Sequence, residues 1–414
     1  MQRRLFRPAD ILLPVDCDMR LWSVVACDQF SSDPAYWDKV AKMTEGKPST
    51  MHMILPEAYL ETVNQEQVSR KINETMAEYL AQGVFRTLEN SYIYVERTLP
   101  DGTLRRGLVG AIDLMHYDYH EGCATYVRAT EHTVEDRLPP RVEIRKNAVL
   151  EMPHIMLFID DREDMVMRSA ALSAGTPVYD FDLMCGGGHI VGRPISDVNA
   201  DVMTAMLDEL TDDTLLENKY GFSNGAIVYA IGDGNHSLAA AKNCWEEIRP
   251  TLTAEEQENH PARFVLVELM NIHDAGVTFH PIHRAVFGVD SEAFVKEAEA
   301  ALFSENGTAV TLVTEHGVKE RYVSADSIGQ VIEFVDSFCQ KFAAVCGAQV
   351  DYIHGDREAA EFGMAKGNAA ILLPTMKKEE LFTSVMETGV FCKKSFSIGE
   401  AVEKRYYLEC RTIQ

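Results

Sequence analysis

A glycine-rich turn near the middle of the chain holds the residues best suited to bind phosphate. Its six residues are Gly232, Asp233, Gly234, Asn235, His236 and Ser237. An apolar run at 226–231 predicts a strand before the turn, and 237–248 predicts a helix after it. Glycine lets backbone N–H groups approach a ligand closely, and the start of a helix favours anions. We therefore expect the turn to bind phosphate or nucleotide, with Asp233 orienting a metal ion or a hydroxyl group and His236 donating to a phosphate oxygen.

The same turn has a purely structural alternative, which is a tight connection from strand to helix capped by Asn235 or Ser237. As a dinucleotide-binding G-x-G-x-x-G fingerprint it is incomplete, because Ser237 stands where the third glycine belongs. The G-x-x-x-x-G-K-[ST] motif of P-loop enzymes does not occur in the sequence, which disfavours that class of enzyme.

A second group of residues combines a carboxylate with cations. Glu131 and His132 precede a basic run made up of Arg137, Arg141, Arg145 and Lys146. A carboxylate can serve as general base on a substrate hydroxyl, and arginine pairs with carboxylate or phosphate through two hydrogen bonds. We expect Glu131 to be the base, and His132 and Arg137 to bind substrate. The alternative is a solvated surface of salt bridges.

Two further motifs bear on the class of chemistry. Residues 221–225 match G-x-S-x-G, but Ser223 precedes the predicted strand instead of following one, which disfavours a hydrolase. His280 and His283 suggest metal ligands, but the proline between them argues against a helical ligand face. His283 and Arg284 are expected to contact phosphate or substrate, with hydrogen-bonded structural roles as the alternative.

The elements that must position these residues are a mixture of helices and strands. Predicted helices lie at 56–83, 196–210, 237–248, 291–302, 328–346 and 378–387. Predicted strands lie at 92–97, 105–115, 154–160, 187–191, 226–231, 264–270, 309–313, 369–373 and 405–409. The strands at 92–97 and 105–115 form a predicted hairpin around Pro100-Asp101-Gly102. Antiparallel hairpins among helices favour the α+β class with mixed sheets.

Length and composition limit the kind of protein this is. The 414 residues include 39 Lys and Arg against 64 Asp and Glu, a net charge of −25, and 46% are hydrophobic. This apolar content suffices for a large core, and we expect an N-terminal α/β lobe at 1–120, a central core at 121–290 and a C-terminal α/β lobe at 291–414. The acidic balance argues against a partner that is a nucleic acid or an anionic membrane, but it leaves an anionic small molecule possible.

The termini and cysteines predict a cytoplasmic protein. The N-terminus begins with basic residues but lacks the apolar run of a signal peptide, and no stretch reaches the roughly 20 apolar residues of a membrane span. The nine cysteines are scattered and never form C-x-x-C, so we expect reduced thiols and no zinc cluster built on cysteine.

Several of these blocks resemble the bacterial domain-of-unknown-function family 1015. The turn at 232–237 is similar to the family's Asp-Gly-His-His-Arg turn, and 131–137 resembles its segment with His-Glu-x-Thr and a later Asp-Arg. Residues 280–284 resemble its Pro-Thr-His-Arg block, and 392–396 resemble its Pro-x-Lys-Ser-Thr block. Asp28 and Glu57 resemble acidic positions near the family's N-terminus. For Asp28, a role as a helix cap or in a turn is the stronger interpretation.

The central turn and the tail are also similar to those of free serine kinases of the ParB/sulfiredoxin superfamily. The resemblance implies a ParB/sulfiredoxin-like nucleotide-binding core with a C-terminal lobe closing the cleft. It also implies that Lys393, Lys394 and Ser395 bind the anionic groups of the substrate.

The sequence departs from the family where phosphate is expected to bind, because the turn lacks the family's arginine. A triphosphate needs cationic neutralisation, and four residues are candidates to supply it. They are Lys242, Arg284, Arg137 and Lys394.

The resemblance implies phosphoryl transfer involving a small hydroxy amino acid, with free serine or phosphoserine as the first candidates and Mg²⁺ with ATP or ADP as cofactor. One alternative is a phosphoserine phosphatase, or transfer in the reverse direction on the same site. The other is a catalytically inactive regulator that binds nucleotide, which the missing arginine would explain.

Overall fold

The computed structural model describes residues 4–120 and 122–414, and the backbone alone of Thr388. The first three residues of the basic N-terminus lie outside this part. By packing, the chain forms two compact units. The first contains residues 4–129, 133–277 and 400–414, and the second contains residues 130–132 and 278–399. The division into three domains predicted from the sequence stays a prediction.

Strands occur throughout both units. Those of the first unit are β1 (Phe6–Arg7), β2 (Ala9–Pro14), β3 (Val24–Val25), β4 (Phe85–Thr98), β5 (Leu104–Asp113), β6 (Tyr117–Asp118), β7 (Val127–Ala129), β8 (Leu150–Glu151), β9 (Met156–Ile159), β10 (Tyr179–Asp182), β11 (His189–Ile195), β12 (Tyr229–Asp233) and β13 (Phe264–Asn271). Those of the second are β14 (Phe279–Phe287), β15 (Thr308–Thr314), β16 (Gly317–Val323), β17 (Gln349–His354), β18 (Asn368–Leu372) and β19 (Phe396–Ile398). The chain then returns to the first unit with β20 (Tyr406–Tyr407) and β21 (Arg411–Thr412).

Helices alternate with these strands. Those of the first unit are α1 (Met19–Trp22), α2 (Pro34–Thr44), α3 (Gln65–Ala81), α4 (Pro139–Lys146), α5 (Met165–Ser173), α6 (Asp197–Glu209), α7 (Asp213–Tyr220), α8 (Asn235–Ile248) and α9 (Ala254–Asn259). Those of the second are α10 (Ser291–Ala301), α11 (Ile328–Cys346), α12 (Asp356–Met364) and α13 (Glu380–Thr388). In the described part of the chain, we find no helix with the length and apolar character that crossing a membrane requires.

A mixed sheet of eleven strands organises the first unit. Its order is β10, β11, β4, β5, β13, β9, β12, β7, β6, with β1 beside β5 and β2 beside β4. Pairing is antiparallel from β10 to β13, whereas β13 and β9 run parallel, as do β12 and β7. Every residue of β13 is buried, as expected for a central strand. The mixed sheet confirms the α+β class, while the ParB/sulfiredoxin-like assignment stays a prediction.

The pairing of β9 with β12 positions the site. These strands are antiparallel, and Asp233 at the end of β12 lies opposite Met156 at the start of β9. The residues just before β9 are therefore brought beside the turn that follows β12. This juxtaposition joins segments that are far apart in the sequence.

An antiparallel sheet forms the centre of the second unit. Its order is β16, β15, β18, β14, β17, with β19 added to the start of β14. The helix α11 has the bounds predicted from the sequence, with Val331 and Val335 on its buried face. Its first turn is capped by Ser327, whose side chain accepts a hydrogen bond from the backbone of Gln330.

The local predictions were correct where turn and capping signals were clear. The hairpin of β4 and β5 confirms the prediction around Pro100-Asp101-Gly102. The single helix predicted at 56–83 is wrong. Residues Glu57–Tyr59 form one 3₁₀ turn, and α3 begins only after Asn64, whose side chain accepts a hydrogen bond from the backbone of Gln67. The backbone N–H of Glu57 donates to the carbonyl of Cys27 (2.8 Å), which holds that segment outside the helix.

Candidate functional site

The turn between β12 and α8 requires both of its glycines. Gly234 has φ of +85°, and a Cβ added there would lie 2.9 Å from Cγ1 and 3.0 Å from Cα of Ile155. A Cβ added at Gly232 would overlap the ring of Phe158. The structural alternative placed the cap at Asn235 or Ser237, but Gly234 occupies the N-cap position instead. The reason is that glycine, which has no side chain, can adopt the left-handed backbone conformation that lets the chain turn sharply against Ile155.

The first turn of α8 begins without a side-chain cap. The helix is 14 residues long, and its N-cap contributes no side-chain hydrogen bond to the first turn. The amides of Ser237 and Leu238 donate to the carbonyl of Gly234 (3.0 and 3.1 Å). The amide of Gly234 donates to Oδ1 of Asp233 (2.9 Å). A helix start of this kind carries a partial positive charge that stabilises phosphate.

Asp233 is engaged by a lysine from the tail of the same unit. Its Oδ2 lies 3.1 Å from Nζ of Lys404, and the two side chains are 19% and 10% exposed. The low exposure makes this ion pair stronger than one on the open surface. Lys404 therefore supplies a cation beside the turn, where the family's arginine is absent.

The residues at the turn do not form a magnesium site by themselves. In the described part of the chain, no three His, Cys, Asp or Glu side chains gather as metal ligands. Both oxygens of Asp233 already have partners, Gly234 and Lys404. Protein sites for Mg²⁺ use one or two free carboxylates together with substrate phosphates. This arrangement does not fit that requirement.

His236 has a structural contact as well as a position at the turn. Its Nε2 accepts a hydrogen bond from the backbone N–H of Val134 (3.2 Å). This hydrogen bond assigns the unprotonated nitrogen to Nε2, so Nδ1 carries the proton in the neutral ring. His236 thus ties the segment that begins at Thr133 to the first turn of α8.

A buried histidine contacts the first turn of α8. His154 is 7% exposed, and its Nε2 is 3.3 Å from Oγ of Ser237. Burial lowers the pKa of His154, so the ring is neutral near pH 7. Burial acts to raise the pKa of Asp28 nearby, but the interaction with His154, a hydrogen bond from Gln29 and the charge of Lys404 hold that pKa below its usual value. A charged cluster thus adjoins the turn.

A cavity of about 150 Å³ adjoins the same histidine. The residues that line it include Ser237 and Ala240 of α8, Arg141 of α4, and His154.

The basic run identified in the sequence forms α4, and its charges are largely paired. Arg141 contacts Glu57, Arg145 lies 2.7 Å from Glu151, and Lys146 lies 3.3 Å from Glu247. Arg137 precedes α4 and is exposed.

Glu131 belongs to the second unit and lies against the tail segment. It forms a bridge with Phe391, and its Oε1 accepts a hydrogen bond from the backbone N–H of Ser395 (3.1 Å). The hydroxyl of Ser395 donates to the carbonyl of Cys392 (2.6 Å). The structure thus brings together two groups that the sequence separates widely. His132, next to Glu131, is exposed.

The two lysines of the tail segment are exposed, in contrast to the histidine and arginine of β14. Nζ of Lys393 and of Lys394 lie 6.0 and 5.2 Å from the ring centroid of Tyr352. Arg284 is fully buried, and it donates to Asp336 (2.8 Å) and to the carbonyl of Lys394 (2.9 Å). It therefore supports the tail segment from inside the unit.

His283 is also fully buried within the second unit. Its Nδ1 accepts from the backbone N–H of Leu373 (3.1 Å), and its Nε2 lies 2.9 Å from Asp356. Burial lowers the pKa of His283. These contacts join β14 to β18 and α12.

The predicted site residues divide between the two units. The turn at 232–237 and Arg137 belong to the first, and Glu131, His132, His283, Arg284 and Lys393–Ser395 belong to the second. Sequence reasoning missed His154 and Lys404 as neighbours of the turn. His154 was placed only at the start of a predicted strand, and no spacing signal connects Lys404 to Asp233. The pairing of β9 with β12 and the return of the tail create both contacts.

Solved structures similar to this chain share little sequence with it. A free serine kinase in complex with AMP is 12% identical, with a TM-score of 0.38 and coverage of 72% of this chain and 90% of that one. SbnI with a C-terminal truncation, from Staphylococcus aureus, is 11% identical, with a TM-score of 0.36 and coverage of 70% and 82%. A conserved hypothetical protein from Pyrococcus furiosus is 14% identical, with a TM-score of 0.35 and coverage of 72% and 93%.

No curated protein matches the chain. The family described as "Protein of unknown function (DUF1015)" matches residues 12–390, which is most of the sequence. The match includes the turn at 232–237 and the segment of Glu131. The chain belongs to the DUF1015 family.

Proposed function

We propose that this protein is a nucleotide-dependent phosphotransferase that acts on a small hydroxy amino acid, with serine as the first candidate. The observation that carries the proposal is the start of α8, where the N-cap Gly234 follows Asp233 and Asp233 pairs with Lys404. Such a helix start binds phosphate through backbone amides and its dipole. Phosphoryl transfer depends mainly on positioning and charge stabilisation, which this arrangement favours.

On the nucleotide side, the turn holds the phosphates of ATP or ADP. Gly232 and Gly234 allow close approach of the backbone, and the first turn of α8 supplies donors. Lys404 provides the cation that the turn itself lacks, and Asp233 holds this lysine in place.

On the acceptor side, Glu131 is the proposed base on the acceptor hydroxyl. A hydroxyl of this kind is a weak nucleophile near pH 7 and needs a base within hydrogen-bond reach. The contact between Glu131 and the amide of Ser395 supports treating the carboxylate and the tail segment as one group. Lys393 and Lys394 are exposed and suited to bind the anionic groups of the amino acid, while buried Arg284 positions their backbone.

The second candidate is a regulator that binds nucleotide without turnover. The pairing of Asp233 with Lys404 favours it, because a carboxylate so engaged is not available to a metal ion. A phosphoserine phosphatase or transfer in the reverse direction would use the same residues, and product analysis distinguishes the direction.

The test is transfer of labelled phosphate from ATP or ADP to serine by the intact chain, with and without Mg²⁺. Glu131→Gln keeps the shape of the side chain and removes the base, so turnover should fall by about 10²–10⁴-fold with little change in melting temperature. Nucleotide binding without any turnover would support the regulator. Full activity of Glu131→Gln would refute the assigned base.

A further inference from the structure

The cavity beside α8 is of the size that binds a small organic group. Its volume is about 150 Å³. An engineered protein cavity of about this volume, lined by aliphatic and aromatic side chains, stays dry and binds benzene.

The walls of the cavity are mainly apolar. Buried members include Met53, Leu55, Met76, Leu150, Ile155 and Val265. They come from α3, β8, β13 and the connections before α3 and β9, so several elements of one unit line the cavity. An apolar wall of this extent favours an aryl or branched-alkyl group over a polar one.

The charged groups at the wall are satisfied by one another. Arg145 pairs with Glu151, whose carboxylate also accepts from the backbone of Leu266 (2.9 Å). Arg141 pairs with Glu57, and these two side chains remain 17% and 18% exposed. A ligand that carried a charge into the cavity would have to disrupt one of these pairs.

One end of the cavity offers neutral hydrogen-bonding groups. His154 and Ser237 both line it, and their side chains lie 3.3 Å apart. Burial lowers the pKa of His154 and outweighs the opposing charges of Asp28 and Asp233, which favours the neutral ring near pH 7. A hydroxyl or amide on the ligand can both donate to and accept from such a pair.

We propose that this cavity binds a neutral compound with an apolar group about the size of a benzene ring and one hydrogen-bonding group directed at His154 and Ser237. The site goes beyond the proposed phosphotransferase. It shares Ser237 with the 232–237 turn, but its apolar walls come from other elements of the first unit. Its occupant is a second ligand, distinct from nucleotide and serine.

Three matched probes test the assignment by titration calorimetry on the intact chain. They are benzyl alcohol, toluene and benzoate. Benzyl alcohol should bind about three- to tenfold more tightly than toluene, the range that one additional hydrogen bond gives. Benzoate should bind at least about tenfold more weakly than benzyl alcohol, because its charge is costly in an apolar site. Absence of binding by benzyl alcohol and toluene, or tighter binding of benzoate, would overturn the proposal.

Filling the cavity provides the structural control. Ala240 is 2% exposed on α8 and lines the cavity, so Ala240→Leu should abolish benzyl alcohol binding while the melting temperature holds or rises. The matched control is Ala77→Leu, on the exposed face of α3, which should bind as the wild type does. If Ala240→Leu does not fold, Ser237→Ala serves instead, and it should remove the advantage of benzyl alcohol over toluene. Wild-type binding by the folded filling variant would refute the site.

The outcome is independent of the proposed function. His236→Ala should weaken nucleotide binding and leave benzyl alcohol binding unchanged. A chain that binds benzyl alcohol but no nucleotide would refute the phosphotransferase and retain the cavity site. A chain that binds nucleotide but none of the three probes would refute the cavity site and leave the phosphotransferase proposal standing.

Discussion

Replacing Arg284 with alanine should destabilise the second unit instead of merely weakening substrate binding. The side chain is fully buried and donates to Asp336 (2.8 Å) and to the carbonyls of Ile282 (2.7 Å) and Lys394 (2.9 Å). It also lies 4.8 Å from the ring centroid of Tyr352. The change would leave a carboxylate and two carbonyl oxygens without their donor.

The magnitude follows from these contacts. Removing one partner of a buried ion pair costs about 3–5 kcal/mol, because the other charge remains uncompensated. Asp336 keeps 16% exposure, so water partly replaces the lost arginine and the lower part of that range applies, about 3 kcal/mol. With a urea dependence of about 2 kcal/mol per M, the unfolding midpoint of this unit should fall by roughly 1.5 M.

Urea unfolding followed by circular dichroism measures this shift. Arg357→Ala is the matched control, because that arginine lies in the same unit and is 79% exposed, and its midpoint should not change measurably. Arg284→Lys should recover only part of the loss, since lysine cannot reproduce the planar fork of donors. An Arg284→Ala variant with wild-type stability and a raised KM would refute the structural role and restore the arginine as a substrate ligand.

Three further outcomes follow from the same structure. Mass spectrometry of the native protein after alkylation should find no disulfide, since the nine cysteines are free, and two or more stoichiometric bridges would contradict this. Burial acts to raise the pKa of Glu151, but Arg411 and Arg145 outweigh it and hold that pKa below 4.5. The stability it contributes is therefore present above pH 4.5 and lost as the pH falls further, so Glu151→Gln should flatten the acid side of the stability profile. Lys404→Ala should weaken ADP binding by about tenfold while Lys404→Arg retains it, and equal affinities in calorimetry would remove the lysine from the site.

Local signals in the sequence predicted local structure well. The hairpin of β4 and β5 was predictable because Pro100-Asp101-Gly102 is a strong turn sequence between two strand-forming runs. The bounds of α11 followed from its amphipathic pattern. The helix expected at 56–83 was wrong because apolar spacing alone did not reveal that Asn64 caps a new helix.

The site was only partly predictable, because its neighbours are set by strand pairing. The glycine-rich turn was visible in the sequence, but His154 reaches it through the antiparallel pairing of β9 with β12. Lys404 reaches Asp233 because the tail returns to the first unit. The residue type of Arg284 suggested anion binding, whereas burial within β14 directs its donors to the protein itself. Residue types thus indicated the chemistry, and tertiary contacts decided the roles.

The most direct test of the central claim is calorimetric titration of ADP, with and without Mg²⁺, into the intact chain and its His236→Ala variant. We predict saturable binding of one ADP per chain, weakened at least about tenfold in the variant, with both proteins folded by thermal unfolding. Absence of ADP binding to the wild-type chain, or equal affinity in the two folded proteins, would contradict the assignment of the 232–237 turn as the phosphate-binding site.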